Sequence, residues 1–566
     1  MKQQRKPYLW WIALLCGLVI LNVAASLFHK RFDLTEEKRY SLSQPTKALL
    51  RELEQPVQID IFLTGNDLPA VVRKFRNSLN DFLFESKEYG RNNLQFNFID
   101  PFAGDTAQVR SLLDTIGSYG LTPVEINAPS SVGDELKIKR LVHGALVRYG
   151  GKTVGVDLLK GIRAYGTEPE ELAALYNSVE ATLEYKFASA IQKITSTERP
   201  VVGYLLGNGE AWGYNVDDAV RTLISEYQFD TVNIKQVPYI QDDYDALLIN
   251  KPTQAFTDAD KLKIDQYIMR GGKVMWLVDN MFAEFDSLYQ SNGFVAFDRG
   301  LNLEDMLFTY GVRINQTLVQ DMQSDKLPQV SADGQQRRMV DWPFFPILNG
   351  TDHPISKNLD GIRAMFPTTL DTVEATGIRK TILLETSNNT RLLSAPAKID
   401  FEFLQIAPDQ KLFRSPATPI AVLLEGNFRS LYTGRVPRAT ADSLKQMNRA
   451  FKQQADTSGK MIIVADGDLA MNQFSPNTGP LPMGMNLFTR YTFANKDFFV
   501  NSLEYLVNPT NILQTRSKEY TLRLLDPGAV NEKRTTWQLI NIALPILLII
   551  VFGIIYTQLR KRRYAS

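Results

Sequence analysis

DALLINKPTQAFTDADKLKIDQYIMRGGKVMWLVD, residues 245–279, carries two short apolar runs separated by one helical period. Ala246 to Ile249 is too short for a buried helix but has the length of a strand covered on both faces. Thr257 then stands where a helix N-cap is wanted, and Ile264, Tyr267 and Ile268 recur at helical spacing. Gly271-Gly272 ends that helix before the second apolar run, KVMWLVD. A strand, a helix and a strand in this order form a βαβ unit, whose strands are parallel because the helix returns the chain to its starting edge.

The same alternation extends to both sides. Upstream lie VVGYLLG (201–207), a helix with Val216, Ala219, Val220, Leu223, Ile224 and Tyr227 on one face, and TVNIK (231–235). Downstream, TILLETS (381–387), PIAVLLEG (419–426) and MIIVADGD (461–468) read as further strands. The expected fold class is α/β, and residues 196–475 form a doubly wound, flavodoxin-like or amidotransferase-like sheet covered on both faces. The polar stretch from Ser324 to Arg338 is expected to be a mobile loop.

Residues 29–195 read as a first α/β domain. VQIDIFL (57–63) and LQFNFID (94–100) are alternating strands around a helix over 69–89, in which Val72, Phe75, Leu79, Phe82, Ser86 and Tyr89 make one stripe. A helix after Asn177, with Glu180 as capping-box partner, closes the domain. Between them, LVRYGGKT (146–153) ends like a phosphate-binding loop. That motif needs a glycine where Leu146 stands and a helix directly afterwards. The flanks instead alternate around Gly150-Gly151, which is a hairpin pattern. Any nucleotide hydrolysis therefore belongs to another chain.

Composition narrows the function. The 566 residues carry a net charge of +1, so no basic stripe recommends nucleic acid as a partner. One cysteine, Cys16, and three histidines, His29, His143 and His353, exclude a disulfide framework and a Cys/His zinc cluster. The stretch around His353, WPFFPILNGTDHPI, reads as a packed loop and not as a metal site. No metal and no cofactor are expected.

Uncharged apolar segments at 8–28 and 537–559 have the ~20-residue length that crosses a hydrocarbon core. Trp10, Trp11 and Trp537 sit at their ends, as interfacial anchors do. Val23-Ala24-Ala25 resembles a signal cleavage site, but the apolar run exceeds the usual ~7–15 residues, so an uncleaved anchor is the reading. The basic tail Arg560-Lys561-Arg562-Arg563 places residues 560–566 in the cytoplasm together with residues 1–7. The chain between the spans then faces outward, with 476–536 forming a helix near Phe498 to Leu506 and an irregular juxtamembrane stalk. Asn22, Asn541 and Gln558 are polar residues inside the spans and candidates for helix–helix contact.

In an open α/β sheet ligands collect beyond the carboxyl ends of the strands. Asn208, Glu210 and Trp212 follow one strand, Asp279 another, and Asp466 and Asp468 a third. They are candidates for a polar pocket with Trp212 as a stacking face, although turns select Gly, Asp and Asn for backbone reasons alone. Such carboxylates could hold a metal or act as acid and base, but spacing in sequence sets no distance between them. Amidotransferase chemistry needs a cysteine nucleophile, which this region lacks, and no Gly-x-Ser-x-Gly elbow is present.

Several stretches together resemble one family: RFDLTEEKRYSLSQPTKALL (31–50), NFIDP (97–101), the 249–279 run, WPFFPI (342–347) with HPISKNLD (353–360), AVLLEGNFRSLYTGR (421–435) and VADGDLAMNQ (464–473). The chain is similar along nearly its whole length to the gliding-motility-associated ABC-transporter proteins of the Bacteroidetes, the GldG family. The resemblance implies an inner-membrane auxiliary subunit, often labelled substrate-binding, with a separate permease and a separate ATPase as partners. It also implies a periplasmic region related to catalytically dead amidotransferase-like folds. Related chains often show Gly-His-Gly-Glu where this one has Gly207-Asn208-Gly209-Glu210. The expectation is a non-enzymatic transporter accessory contacting membrane lipid, with a homodimer plausible if the transporter is two-fold symmetric. A membrane-anchored hydrolase acting on envelope components and a structural scaffold are the alternatives.

Overall fold

Nine strands in the order 324–330, 337–350, 378–385, 419–426, 459–464, 274–277, 246–250, 201–206 and 228–233 form the largest sheet, and Ile362–Arg363 pairs beside the second of them. The computed structural model describes residues 14–20, 22, 41–64, 68–129, 136–159, 169–196, 198–291, 293–330, 337–401, 408–508, 512–517 and 527–564. The chain divides into a unit over Met1–Lys518 and another over Glu519–Ser566.

Five strands of the large sheet run parallel. Numbered along the chain, 201–206, 228–233, 246–250, 274–277 and 459–464 lie in the spatial order 2-1-3-4-5, the flavodoxin-like arrangement. Helices Asp217–Glu226 and Asp258–Met269 make the first and third crossovers. The second has its expected N-cap: the Thr257 hydroxyl accepts from Asp260 N, and the Asp260 carboxylate accepts from Thr257 N at 3.0 Å. Strand Val274–Leu277 is buried at every residue. Each of its large side chains contributes about 1.5–3 kcal/mol by leaving water, which favours a central place in the sheet.

Beyond 459–464 the sheet continues antiparallel through 419–426 and 378–385 to 337–350 and 324–330. Two sequence expectations change here. Ser324–Val330 is a strand paired with Arg337–Gly350, so the proposed mobile loop over Ser324 to Arg338 is a hairpin, of which 331–336 lies outside the described residues. Its polar composition is that of an edge strand, whose ladder bonds stabilise it without an apolar pattern. The packed loop proposed around His353 begins as this same long strand, with Trp342, Phe344 and Phe345 buried among Leu318, Phe366 and Ile399.

A separate four-stranded sheet has the order 94–98, 57–61, 144–149, 152–157. Val57–Ile61 and Leu94–Phe98 are parallel, joined by helix Ala70–Gly90 with Val72, Phe75, Leu79 and Leu83 buried. The hairpin expected at Gly150-Gly151 is present: Tyr149 pairs with Lys152, and the glycines take φ of +54° and +81°. Two consecutive left-handed residues are what the twist of a two-residue hairpin loop requires. The following helix is Pro169–Thr195, nine residues longer at its start than expected. Pro169 and the helix-forming run after it begin the helix, leaving Glu180 in its interior instead of at a cap.

In the C-terminal unit one helix, Pro527–Tyr564, begins ten residues before the expected span, so 527–536 is helical and not an irregular approach. Its segment Thr536–Arg562 holds an 18-residue window with a mean hydropathy of 2.7 and is long and apolar enough to cross a membrane. Of the N-terminal span expected at 8–28, residues 14–20 and 22 are helical and the remainder lies outside the described residues.

Candidate functional site

The parallel strands end on one side of the sheet, and the loops that follow them carry every candidate of the sequence reading except the intramembrane ones. The switch in strand order falls between 201–206 and 246–250. A doubly wound sheet leaves a crevice there, because successive crossovers leave toward opposite faces.

Asn208 and Glu210 occupy this crevice and tie it together. The Glu210 Oε2 accepts from Asn208 N at 2.7 Å, and Asn208 Nδ2 donates to Ala255 O at 3.1 Å. The Asn208 carbonyl accepts from Thr253 N and Gln254 N, and the Asn250 carbonyl from Ala211 N. Gly209, at φ +72°, brings its backbone so close to Thr253 that a Cβ would lie 2.2 Å from the Thr253 hydroxyl oxygen. Burial raises the Glu210 carboxyl above its usual range, opposed by the backbone N–H groups of Glu210, Asn208 and Gly207 and by Lys235. Trp212 lies half exposed against Tyr204, ring centroids 5.3 Å apart. The Asn208 side chain and carbonyl and the Ala211 N–H thus latch this loop to 250–255, while Glu210 braces the loop from within and Trp212 rests on Tyr204 of the preceding strand.

Asp279, Asp466 and Asp468 come together as a second group, with carboxylate oxygens within 4.8 Å of one another. Asp279 Oδ1 accepts from Gly467 N at 2.5 Å, and the Asp466 oxygens accept from Asp468 N at 2.7 Å and Met365 N at 2.8 Å. At the centre stands a residue the sequence reading missed. The Lys251 ammonium lies 2.5 Å from Asp468, 3.0 Å from Glu284 and 3.2 Å from Asp279. Arg299 pairs with Glu284 at 2.6 Å, and Arg363 with Asp325 at 2.6 Å while covering the Phe345 ring.

Burial governs the electrostatics of this cluster. It opposes the Lys251 charge, but Asp468, Asp279 and Glu284 together outweigh it and hold the amine well above the lysine range. The Asp466 carboxyl is driven well up by burial and by the neighbouring Asp279 and Asp468. Asp468 is pushed up to about 7, chiefly by burial, with Lys251 pulling the other way. A divalent ion would need the three aspartates as oxygen ligands. Here the ammonium sits on two of them, so the chain supplies its own cation. No histidine, cysteine or serine nucleophile contacts the group among the described residues, and what the arrangement does chemically is fasten strand ends 250, 279 and 466 to the 284–299 and 363–365 segments.

Lys251 carried one sequence signal, a charged residue directly after the buried strand Ala246–Asn250. Glu284, Arg299, Asp325 and Arg363 carried none, because they reach the site from the long insertion between the fourth and fifth parallel strands. Asn22 is an exposed helical position, and Asn541 and Gln558 are exposed on helix Pro527–Tyr564.

Comparison with known proteins adds a family. Residues 199–502 match the auxiliary-component family described as an ABC-type uncharacterized transport system, and residues 36–148 match a domain of unknown function (DUF7088). No curated protein matches the chain. Among solved structures, the mmIFT52 N-terminal domain aligns at 12% identity over 54% of this chain and 97% of that one, with a TM-score of 0.31. That score is too low to carry an argument.

Proposed function

The chain belongs to the ABC-type transport-system auxiliary family, and from that premise we propose that it is a membrane-anchored, non-enzymatic subunit serving a separate permease and a separate ATPase. The observation that carries this reading is the family match over 199–502 in a chain that also has a membrane-length apolar helix, Thr536–Arg562. The process served is gliding motility or cell-envelope export, the membrane is the bacterial inner membrane, and the residues between the spans lie in the periplasm. Residues 29–195 and 196–475 act as its two α/β domains. Asn22, Asn541 and Gln558 are the polar positions at which the spans meet the permease or a second copy of the chain.

A non-catalytic role agrees with the chemistry of the strand-end cluster. A hydrolase needs a carboxylate with access to water and substrate, whereas Asp466 is fully buried and Lys251 lies among the other carboxylates. We read Asp279, Asp466 and Asp468 as a structural lock and the loop of Asn208, Glu210 and Trp212, held across the crevice by Asn208, as the latch beside it.

The test is affinity purification of the tagged full-length chain from its native membrane in mild detergent. Recovery of a polytopic permease and a nucleotide-binding subunit is the expected result. Repeated isolation of the chain alone, or with envelope enzymes only, would overturn the assignment.

A further inference from the structure

Away from the strand ends, a cavity of about 170 Å³ opens between helix Asp258–Met269, helix Arg438–Gln446 and the loop 238–240. Its walls are apolar: Leu262 and Tyr267 on one helix, Leu444 and Met447 from the other side, and Ile240 from the loop. An engineered apolar cavity of ~150 Å³ accommodates benzene, so this one has room for a single ring or a short alkyl chain.

Three cations and no carboxylate line the cavity: Lys263, Arg270 and Arg449. Arg449 is committed to Asp242 at 2.5 Å and to the Tyr239 ring. The other two bond only neutral carbonyls among the described residues, Lys263 Nζ to Ile234 O and Arg270 Nη2 to Ala450 O, each at 2.8 Å. Two positive charges thus stand beside an apolar hole without an anionic partner. The covering helix is also incompletely packed. Helix Arg438–Gln446 has no buried residue, and Met447 is 37% exposed. A ligand in the cavity would cover the apolar side of that helix and bring a negative charge to Lys263 and Arg270.

We propose that this cavity is a binding site for a small amphiphilic anion, a single ring or short alkyl chain ending in a carboxylate. The apolar part lies between Leu262 and Leu444, and the carboxylate lies against Lys263 and Arg270. This inference stands on the cavity alone and is independent of the transporter assignment.

The probe is 4-phenylbutyrate, with the uncharged 4-phenylbutyramide as its isostere. Binding to the full-length chain in nanodiscs is followed by ligand-observed NMR, with empty nanodiscs as the blank. Saturable binding of the acid is expected, at least about tenfold tighter than the amide, as a charge-assisted hydrogen bond implies. Lys263→Gln with Arg270→Gln should remove that preference, and Leu444→Trp, which fills the hole from a half-buried position, should abolish binding of both compounds. Circular dichroism melts verify that each variant folds, and Met447→Trp replaces Leu444→Trp if the latter does not. Absence of saturable binding up to about 10 mM, an affinity of under about 3 kcal/mol, would overturn the proposal. Equal binding of acid and amide, or undiminished binding to the folded filled variant, would overturn it too.

Discussion

Lys251 is the residue on which the strand-end cluster turns. Its φ of +49° is in the left-handed region, which costs a non-glycine residue roughly 1–2 kcal/mol. Its N–H bonds Leu277 O at 2.8 Å and its ammonium meets three carboxylates, so the cluster holds it there. Lys251→Met would leave Asp279 and Asp468 buried without their cation, while Glu284 keeps Arg299. The expected loss is about 3–5 kcal/mol, read as a lower urea midpoint in tryptophan fluorescence, and an unchanged midpoint would mean the network is not holding the sheet. Asp468 makes the same cluster sensitive to pH. An unfolded Asp titrates near ~3.9 whereas this one is pushed up to about 7, so the folded chain binds the extra proton between those values. Its stabilising effect is present at the acidic end and lost as pH rises through 7. Burial holds His143 and His353 down to about 4, which acts in the opposite sense below ~6.5. The comparison is therefore with Asp468→Asn: between about pH 6 and pH 8 the unmodified chain should lose on the order of 1 kcal/mol more than the variant. Parallel slopes would refute the assignment. The three aspartates were legible in sequence because strand ends announce themselves through the apolar runs before them. Lys251 was not, since a lysine after a strand ordinarily reaches into water.

At the scale of elements, the hairpin at 149–152 is the sharpest case. The pattern Gly-Gly-Lys-Thr suggests phosphate, but the backbone is a two-residue turn in which Lys152 pairs across to Tyr149 and its exposed ammonium reaches Ser196 O at 3.4 Å. Gly151→Val should therefore cost about 1–2 kcal/mol, because a β-branched side chain is strained at φ +81°. Lys152→Ala should cost almost nothing, and ATP should leave the melting temperature of either form where it was. A nucleotide-dependent shift lost in Lys152→Ala would restore the phosphate reading. Elements with a clear apolar pattern were legible, as in the strand Val57–Ile61, the striped helix Ala70–Gly90 and the continuous apolar run Val274–Leu277. Ser324–Val330 was not, because it is held by ladder bonds to Arg337–Gly350 that polar side chains neither help nor betray.

For the whole molecule, the proposed topology can be read through the chain's own composition. Cys16 is the single cysteine, so Cys16→Ser leaves a background in which any introduced thiol reports alone. Asp258 is 84% exposed on its side chain and lies in the region proposed as periplasmic, whereas Ser566 follows the basic run Arg560 to Arg563. Basic residues flanking a span are retained on the cytoplasmic side. In intact cells with a permeabilised outer membrane, a membrane-impermeant maleimide should label Asp258→Cys and spare Ser566→Cys until the inner membrane is opened. Removing the apolar helix and its tail, residues 527–566, takes away the surface on which Asn541 and Gln558 sit, so co-purification of the permease should fall while the sheet still folds. The sheet's core residues, from Val202 to Val464, lie outside that segment, and a circular dichroism melt of the shortened chain checks this directly. Labelling of Ser566→Cys with Asp258→Cys spared would invert the topology, and labelling of both in intact cells would put the C-terminal tail outside as well. Undiminished recovery of the permease would move the contact from the C-terminal span to residues N-terminal of it.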